Sequence, residues 1–146
     1  MWVPAYLIRG GTSKGLFFNG SSLPRWPKQQ LDNFFLRALG SPDPYGEQID
    51  GLGGSSSSTS KIAILTRSTD RSYDVEYLFG QVDIKRSVVD YTGSCGNMAA
   101  GVGLFALYQK MVPLEKRLAN GRLQLRVLQR NLNKTIVLRM PCNESL

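Results

Sequence analysis

The sequence contains no histidine, and cysteine is scarce, with only Cys95 and Cys142. Without histidine there can be no Ser-His-Asp or Cys-His relay, and the commonest metal ligand is missing, so no metal site is expected. Any acid–base step falls to Lys, Cys, Asp, Glu or Tyr. Two cysteines in unlike settings do not make a disulfide framework. Long apolar runs are lacking too: none approaches the ~18 residues that a membrane-spanning helix needs. The opening "MWVPAYLIRGG" has neither the basic n-region nor the long apolar h-region of a secretory signal. A cytoplasmic location with no membrane partner is therefore expected. Acidic residues are in deficit, 11 against 18 basic ones, which leaves a net charge of +7. That balance suits a solubilising surface, an anionic small substrate or nucleic acid. The basic residues are scattered, and even the densest group (Lys116, Arg117, Arg122, Arg126, Arg130) is loose. A small anion is the preferred partner and nucleic acid is not expected.

What is present fits one domain with a useful core: 146 residues, of which 42% are apolar. "AYLIRGG" and "KGLFFNG" read as two short strands closed by glycine, in hairpin order. "LPRWPKQQLDNFFLRALG" places Leu31, Phe34, Phe35, Ala38 and Leu39 at helical spacing and stops at Gly40. "KIAILTR", "YDVEYLFGQVDI", "RSVVDY", "RLQLRVLQ" and "KTIVLRM" read as strands, and "RNLN" suits a hairpin turn between the last two. The connections look too short for repeated βαβ crossovers, so the expected class is α+β with an antiparallel sheet.

Two polar stretches carry possible chemistry. In "GSCGNMAAG" a thiol, Cys95, opens a run of small and apolar residues that reads as a buried, closely packed helix. Ser94 and Asn97 are candidate caps for its first N–H groups, and a bound carboxylate could do the same. A helix N-terminus favours a thiolate, whereas a small buried cysteine packed as a hydrophobe is the plainer alternative. In "GGSSSSTSK" the Gly/Ser run is either a flexible linker or an ordered loop of N–H and hydroxyl donors suited to a carboxylate. Lys61 closes it and starts an apolar strand. Its ammonium either reaches solvent along the stem or faces a partly buried cleft, where desolvation would lower its pKa and let it accept a proton. Lys14, in "RGGTSKG", has a similar Ser-Lys setting, and Arg9 can bind a carboxylate through paired hydrogen bonds. The glycine loops lack P-loop spacing, and "GLGGSS" does not sit in a dinucleotide-binding unit.

Five motifs in order, "RGGTSKG", "GSPDPYGEQIDGLGG", "SSTSK", "DVEYLFGQVDI" and "DYTGSCGN", resemble the PrpF family of 2-methylaconitate isomerases, methylitaconate isomerases and oxalomesaconate tautomerases. The resemblance runs over nearly the whole chain. It implies a diaminopimelate-epimerase-like fold, in which each of two domains is an antiparallel barrel-like sheet around a central helix and the active site lies between them. Residues 1–146 then correspond to the N-terminal domain alone. The implied activity is cofactor-independent allylic isomerisation of a small unsaturated polycarboxylate. Carried over by motif, Lys61 matches the acid/base lysine and Cys95 the cleft cysteine. The candidate substrate-binding set is Arg9, Ser13, Lys14, Ser58, Thr59, Ser60, Ser94, Gly96 and Asn97. Cys142, outside any glycine-rich setting, is not expected to be catalytic. A chain holding half of a cleft raises a second expectation, a binding or assembly module whose bare face is covered by a second copy or by another chain.

Overall fold

Residues 2–113, 117–118 and 121–141 are described by a computed structural model, with backbone only at 117–118. Cys142 and Lys116 lie outside the described residues. Strands β1 (Tyr6–Gly10) and β2 (Ser13–Asn19) form the expected hairpin, paired from Tyr6↔Phe17 to Gly10↔Ser13. Helix α1 (Lys28–Leu39) buries Phe35, Leu36 and Leu39 and stops at Gly40, whose φ of 77° is left-handed and whose N–H turns back to the Arg37 and Leu36 carbonyls. Strands β3 (Lys61–Arg67) and β4 (Val75–Val82) are antiparallel, and the short β5 (Val89–Asp90) lies beside the end of β4. Helix α2 (Gly96–Tyr108) follows, then β6 (Arg117–Leu118), β7 (Arg122–Gln129) and β8 (Lys134–Pro141). The "RNLN" turn joins β7 to β8 in register Gln129↔Lys134.

The class is α+β, but the sheet is mixed, not antiparallel. Strand β2 runs parallel to β3, and β4 runs parallel to β7. Each parallel pair is joined by a long connection through a helix, α1 in the first and α2 in the second. Parallel neighbours require such crossovers. The segment "RSVVDY" also departs from expectation, since only Val89 and Asp90 pair as strand. Beyond them the edge of β4 is completed by a side chain: Asn131 donates through Nδ2 to the Phe79 carbonyl (2.8 Å) and accepts from the Phe79 N–H (2.8 Å).

The eight strands curl as half of a barrel about α2, which touches β1, β2, β3, β4 and β8. On that side lie Phe17, Ala63, Leu65, Tyr77, Phe79, Met98, Val102, Phe105 and Leu125. On the other side α1 packs Phe35, Leu36 and Leu39 onto Leu16, Phe18, Ile62, Val82 and Val89. Each fully buried Leu or Phe contributes roughly 1.5–3 kcal/mol. The small residues of α2 allow the close approach. A Cβ at Gly101 would stand 2.9 Å from Phe17, and one at Gly103 would stand 2.5 Å from the Met140 sulfur. The helix is nevertheless not buried all round. Ala100, Leu104 and Tyr108, spaced by four, form a bare stripe on which Leu104 is 52% and Tyr108 68% exposed. No helix among the described residues is long and apolar enough to cross a membrane.

Candidate active site

Strand alternation decides which residues meet. On β3, Ala63 and Leu65 face α2, so Lys61 faces the same side; on β4 the same parity turns Tyr77, Phe79 and Gln81 there. On β2 it is Ser13 and Phe17. Cys95 is the N-cap of α2, half-buried against this cluster. Lys61, Ser13 and Cys95 thus converge where the first turn of α2 meets the sheet. The Ser13 hydroxyl, itself buried, lies 3.8 Å from the Cys95 sulfur.

Lys61 is only 7% exposed, so its side chain does not extend along its stem into solvent. It donates to the Ser57 carbonyl and to Oε1 of Gln81, the latter at 2.8 Å. Burial holds its pKa below the ordinary lysine range, and a Cys95 thiolate facing it pulls the other way. A lysine in that state can lose its proton nearer neutrality than an exposed one.

The serine loop before Lys61 is ordered by its own hydroxyls. Ser56 Oγ lies 2.8 Å from Ser58 Oγ and 2.9 Å from Thr59 Oγ1, and Thr59 donates to the Ser56 carbonyl. The Lys14 N–H donates to the Ser58 carbonyl at 3.0 Å, which ties "RGGTSKG" to "SSTSK". Ser60 is fully buried, and its hydroxyl donates to the Val82 carbonyl while accepting from Gln48. It supports the loop from beneath and presents no free hydroxyl to a ligand.

The remaining candidates divide. Asn97 and Ser94 are exposed, and the N-cap residue Cys95 makes no side-chain capping bond among the described residues. Asn97 Nδ2 donates to Thr12 Oγ1 at 2.9 Å, fastening the helix start to the β1–β2 turn. Around Gly93 and Gly96 a Cβ would meet nothing within 4 Å among the described residues, so these leave the space beside Cys95 open. Arg9 and Lys14 are cross-strand partners, both exposed, and alternate away from the α2 side. The Arg9 guanidinium donates to the Gly11 carbonyl.

Sequence reading missed Gln81, the direct partner of Lys61. Its amide also donates to the Ser57 and Ser60 carbonyls (3.1 and 2.9 Å). The available signal was a polar residue interrupting the apolar run "YLFGQV". It missed Tyr77 as well, which is fully buried with a hydroxyl that has no hydrogen-bond partner among the described residues, and whose phenol is pushed well above its usual range by burial first and by the Cys95 charge second.

This arrangement can be set beside known proteins. The family described as "PrpF protein" matches residues 1–145. The chain belongs to the PrpF family. It is 48% identical over 142 residues to a 2-methyl-aconitate isomerase of Cupriavidus necator, covering 95% of the chain and 36% of that protein. It is 48% identical over 112 residues to a 3-methylitaconate isomerase of Eubacterium barkeri, covering 77% of the chain and 29% of that protein. A crystal structure of a methylitaconate-delta-isomerase superposes with a TM-score of 0.86 at 40% identity, covering 97% of the chain and 35% of that structure. This PrpF chain therefore spans about a third of the length of these relatives.

Proposed function

We propose that this chain is the N-terminal domain of a two-domain PrpF isomerase with a diaminopimelate-epimerase-like fold, and that it supplies one wall of an active site. The reaction is cofactor-independent allylic isomerisation of a small unsaturated polycarboxylate such as 2-methylaconitate. The observation that carries this reading is the convergence of buried Lys61 with Cys95 at the α2 N-cap, beside the open space at Gly93 and Gly96.

Neutral Lys61 takes a proton from the carbon allylic to the substrate double bond. The C–H electron pair becomes the new double bond as the old one opens toward a carboxylate. That carboxylate is held by N–H groups of the first turn of α2, which have no intrahelical acceptors. Lys61 or Cys95 then delivers a proton to the other allylic carbon, and no electrons leave the substrate. The net charge of +7 attracts the polyanion.

The test is turnover of 2-methylaconitate, followed by proton NMR, in a full-length polypeptide carrying this chain. Lys61→Ala should keep the fold and lower kcat by about 10²–10⁴, the usual weight of a positioned acid–base group. Near-normal turnover would remove Lys61 from the mechanism.

A second reading rests on the exposed Ala100–Leu104–Tyr108 stripe. In it the chain is a binding or assembly module whose bare face meets a second copy or a separate chain. Solution mass separates the two: a strictly monomeric chain at high concentration speaks against self-assembly.

A further inference from the structure

The motif "GSPDPYGEQIDGLGG" stands outside the reaction as described, yet it contains a buried amide at the centre of the site's scaffold. Gln48 is 1% exposed and adopts a left-handed φ of 52°, a conformation a residue with a Cβ keeps only where its surroundings impose it. Asp43 fixes that backbone, its carboxylate accepting from the N–H groups of Tyr45, Glu47 and Gln48 at 2.8–3.0 Å. Both amide hydrogens and the carbonyl of the Gln48 side chain are used. Nε2 donates to Ser41 Oγ (2.9 Å) and Ser60 Oγ (2.8 Å), and Oε1 accepts from the Ser55 N–H (3.1 Å). The glycines of the motif make room for it: a Cβ at Gly53 would lie 2.3–2.6 Å from the Gln48 amide.

Gln48 therefore grips the serine loop at both ends, at Ser55 and at Ser60. Gln81 grips the same loop from the Lys61 side through the Ser57 and Ser60 carbonyls. The Ser57 carbonyl, held between these grips, is one of the two acceptors of the Lys61 ammonium. We propose that Gln48 is a positioning residue, whose buried amide fixes the Ser55–Ser60 loop and through it the placement of Lys61 and of the loop's donors. Its catalytic meaning rests on the role given to Lys61 above, but its placement of the loop does not.

Two variants of the whole chain test it. Gln48→Met keeps the length and removes the three hydrogen bonds. Gly53→Ala pushes a methyl into the amide while leaving Gln48 itself in place. In each, hydrogen exchange of the 55–60 amides should quicken about tenfold, as for local opening after loss of one or two hydrogen bonds, with β7 and β8 unchanged. The pH midpoint for acylation of Lys61 should also rise toward the ordinary lysine range as more water reaches the ammonium. Among the described residues Cys95 is the titratable group whose charge acts on Lys61, and it is present in all variants. A purely stabilising role would lower the melting temperature without moving the Lys61 midpoint. A wild-type Lys61 midpoint in a folded variant overturns the proposal, and if Gln48→Met does not fold, Gly53→Ala decides. Neither readout needs turnover, so the outcome is independent of whether Lys61→Ala abolishes isomerisation.

Discussion

Gly10 seats the first turn of α2 against β1, and replacing it with alanine tests how tightly Cys95 is placed. A Cβ at Gly10 would stand 1.9 Å from the Asn97 carbonyl oxygen and 3.2 Å from the Gly101 nitrogen. These are backbone atoms, so no side chain can rotate aside and the helix start must move by more than an ångström. Overpacking of this kind costs about 1–3 kcal/mol, and a backbone obstacle puts it at the upper end. Against that, alanine in a strand recovers roughly 0.5–1 kcal/mol of glycine's entropy. The net expectation for Gly10→Ala is a loss of about 2 kcal/mol. Gly96→Ala is the matched control, because a Cβ there meets nothing within 4 Å among the described residues. It should be neutral or gain up to about 1 kcal/mol through helix propensity. Both are read by denaturant unfolding, with alkylation of Cys95 in the folded chain as a local probe. Gly10→Ala should also speed that alkylation by lifting the α2 N-cap from the sheet. Wild-type stability and labelling in Gly10→Ala would refute the close seating.

Three further outcomes follow from the same geometry. Since burial lowers the Lys61 pKa from 10.5, the unfolded chain binds this proton more tightly than the folded one. Stability from this group therefore rises with pH between the lowered value and 10.5, and the difference curve between wild type and Lys61→Met should slope there; parallel curves would show that Lys61 titrates normally. Removing the Tyr77 hydroxyl with Tyr77→Phe should be neutral or stabilising by up to about 1 kcal/mol, since no hydrogen bond among the described residues offsets its desolvation; a clear loss by thermal melting would reveal a partner such as a buried water. Half-buried Cys95, beside open space, should react with iodoacetamide in the folded chain and be protected by a tricarboxylate; a thiol that labels only on unfolding would belong to the core instead.

Local chemistry was legible in the sequence wherever a single stretch contained its own cause. The spacing of Leu31, Phe34, Phe35, Ala38 and Leu39 gave α1, and Gly40 gave its end, because helix period and a left-handed stop are properties of neighbours along the chain. The placing of Cys95 at a helix start and Lys61 at a strand start came from motifs in the same way. Tertiary structure decided what depends on partners distant in sequence. The register Lys61↔Gln81 made Gln81 the partner of Lys61, and no local pattern fixes a cross-strand register. Gln48 reads as one polar loop residue among several, and only folding the 41–60 loop onto β3 and β4 buries its amide between Ser41, Ser55 and Ser60. The crossovers through α1 and α2 made the sheet mixed, since strand direction is set by how the chain returns to the sheet. The uniformly apolar α2 carries no periodic signal of which side stays bare, so the curl of the sheet alone selected Ala100, Leu104 and Tyr108 for exposure.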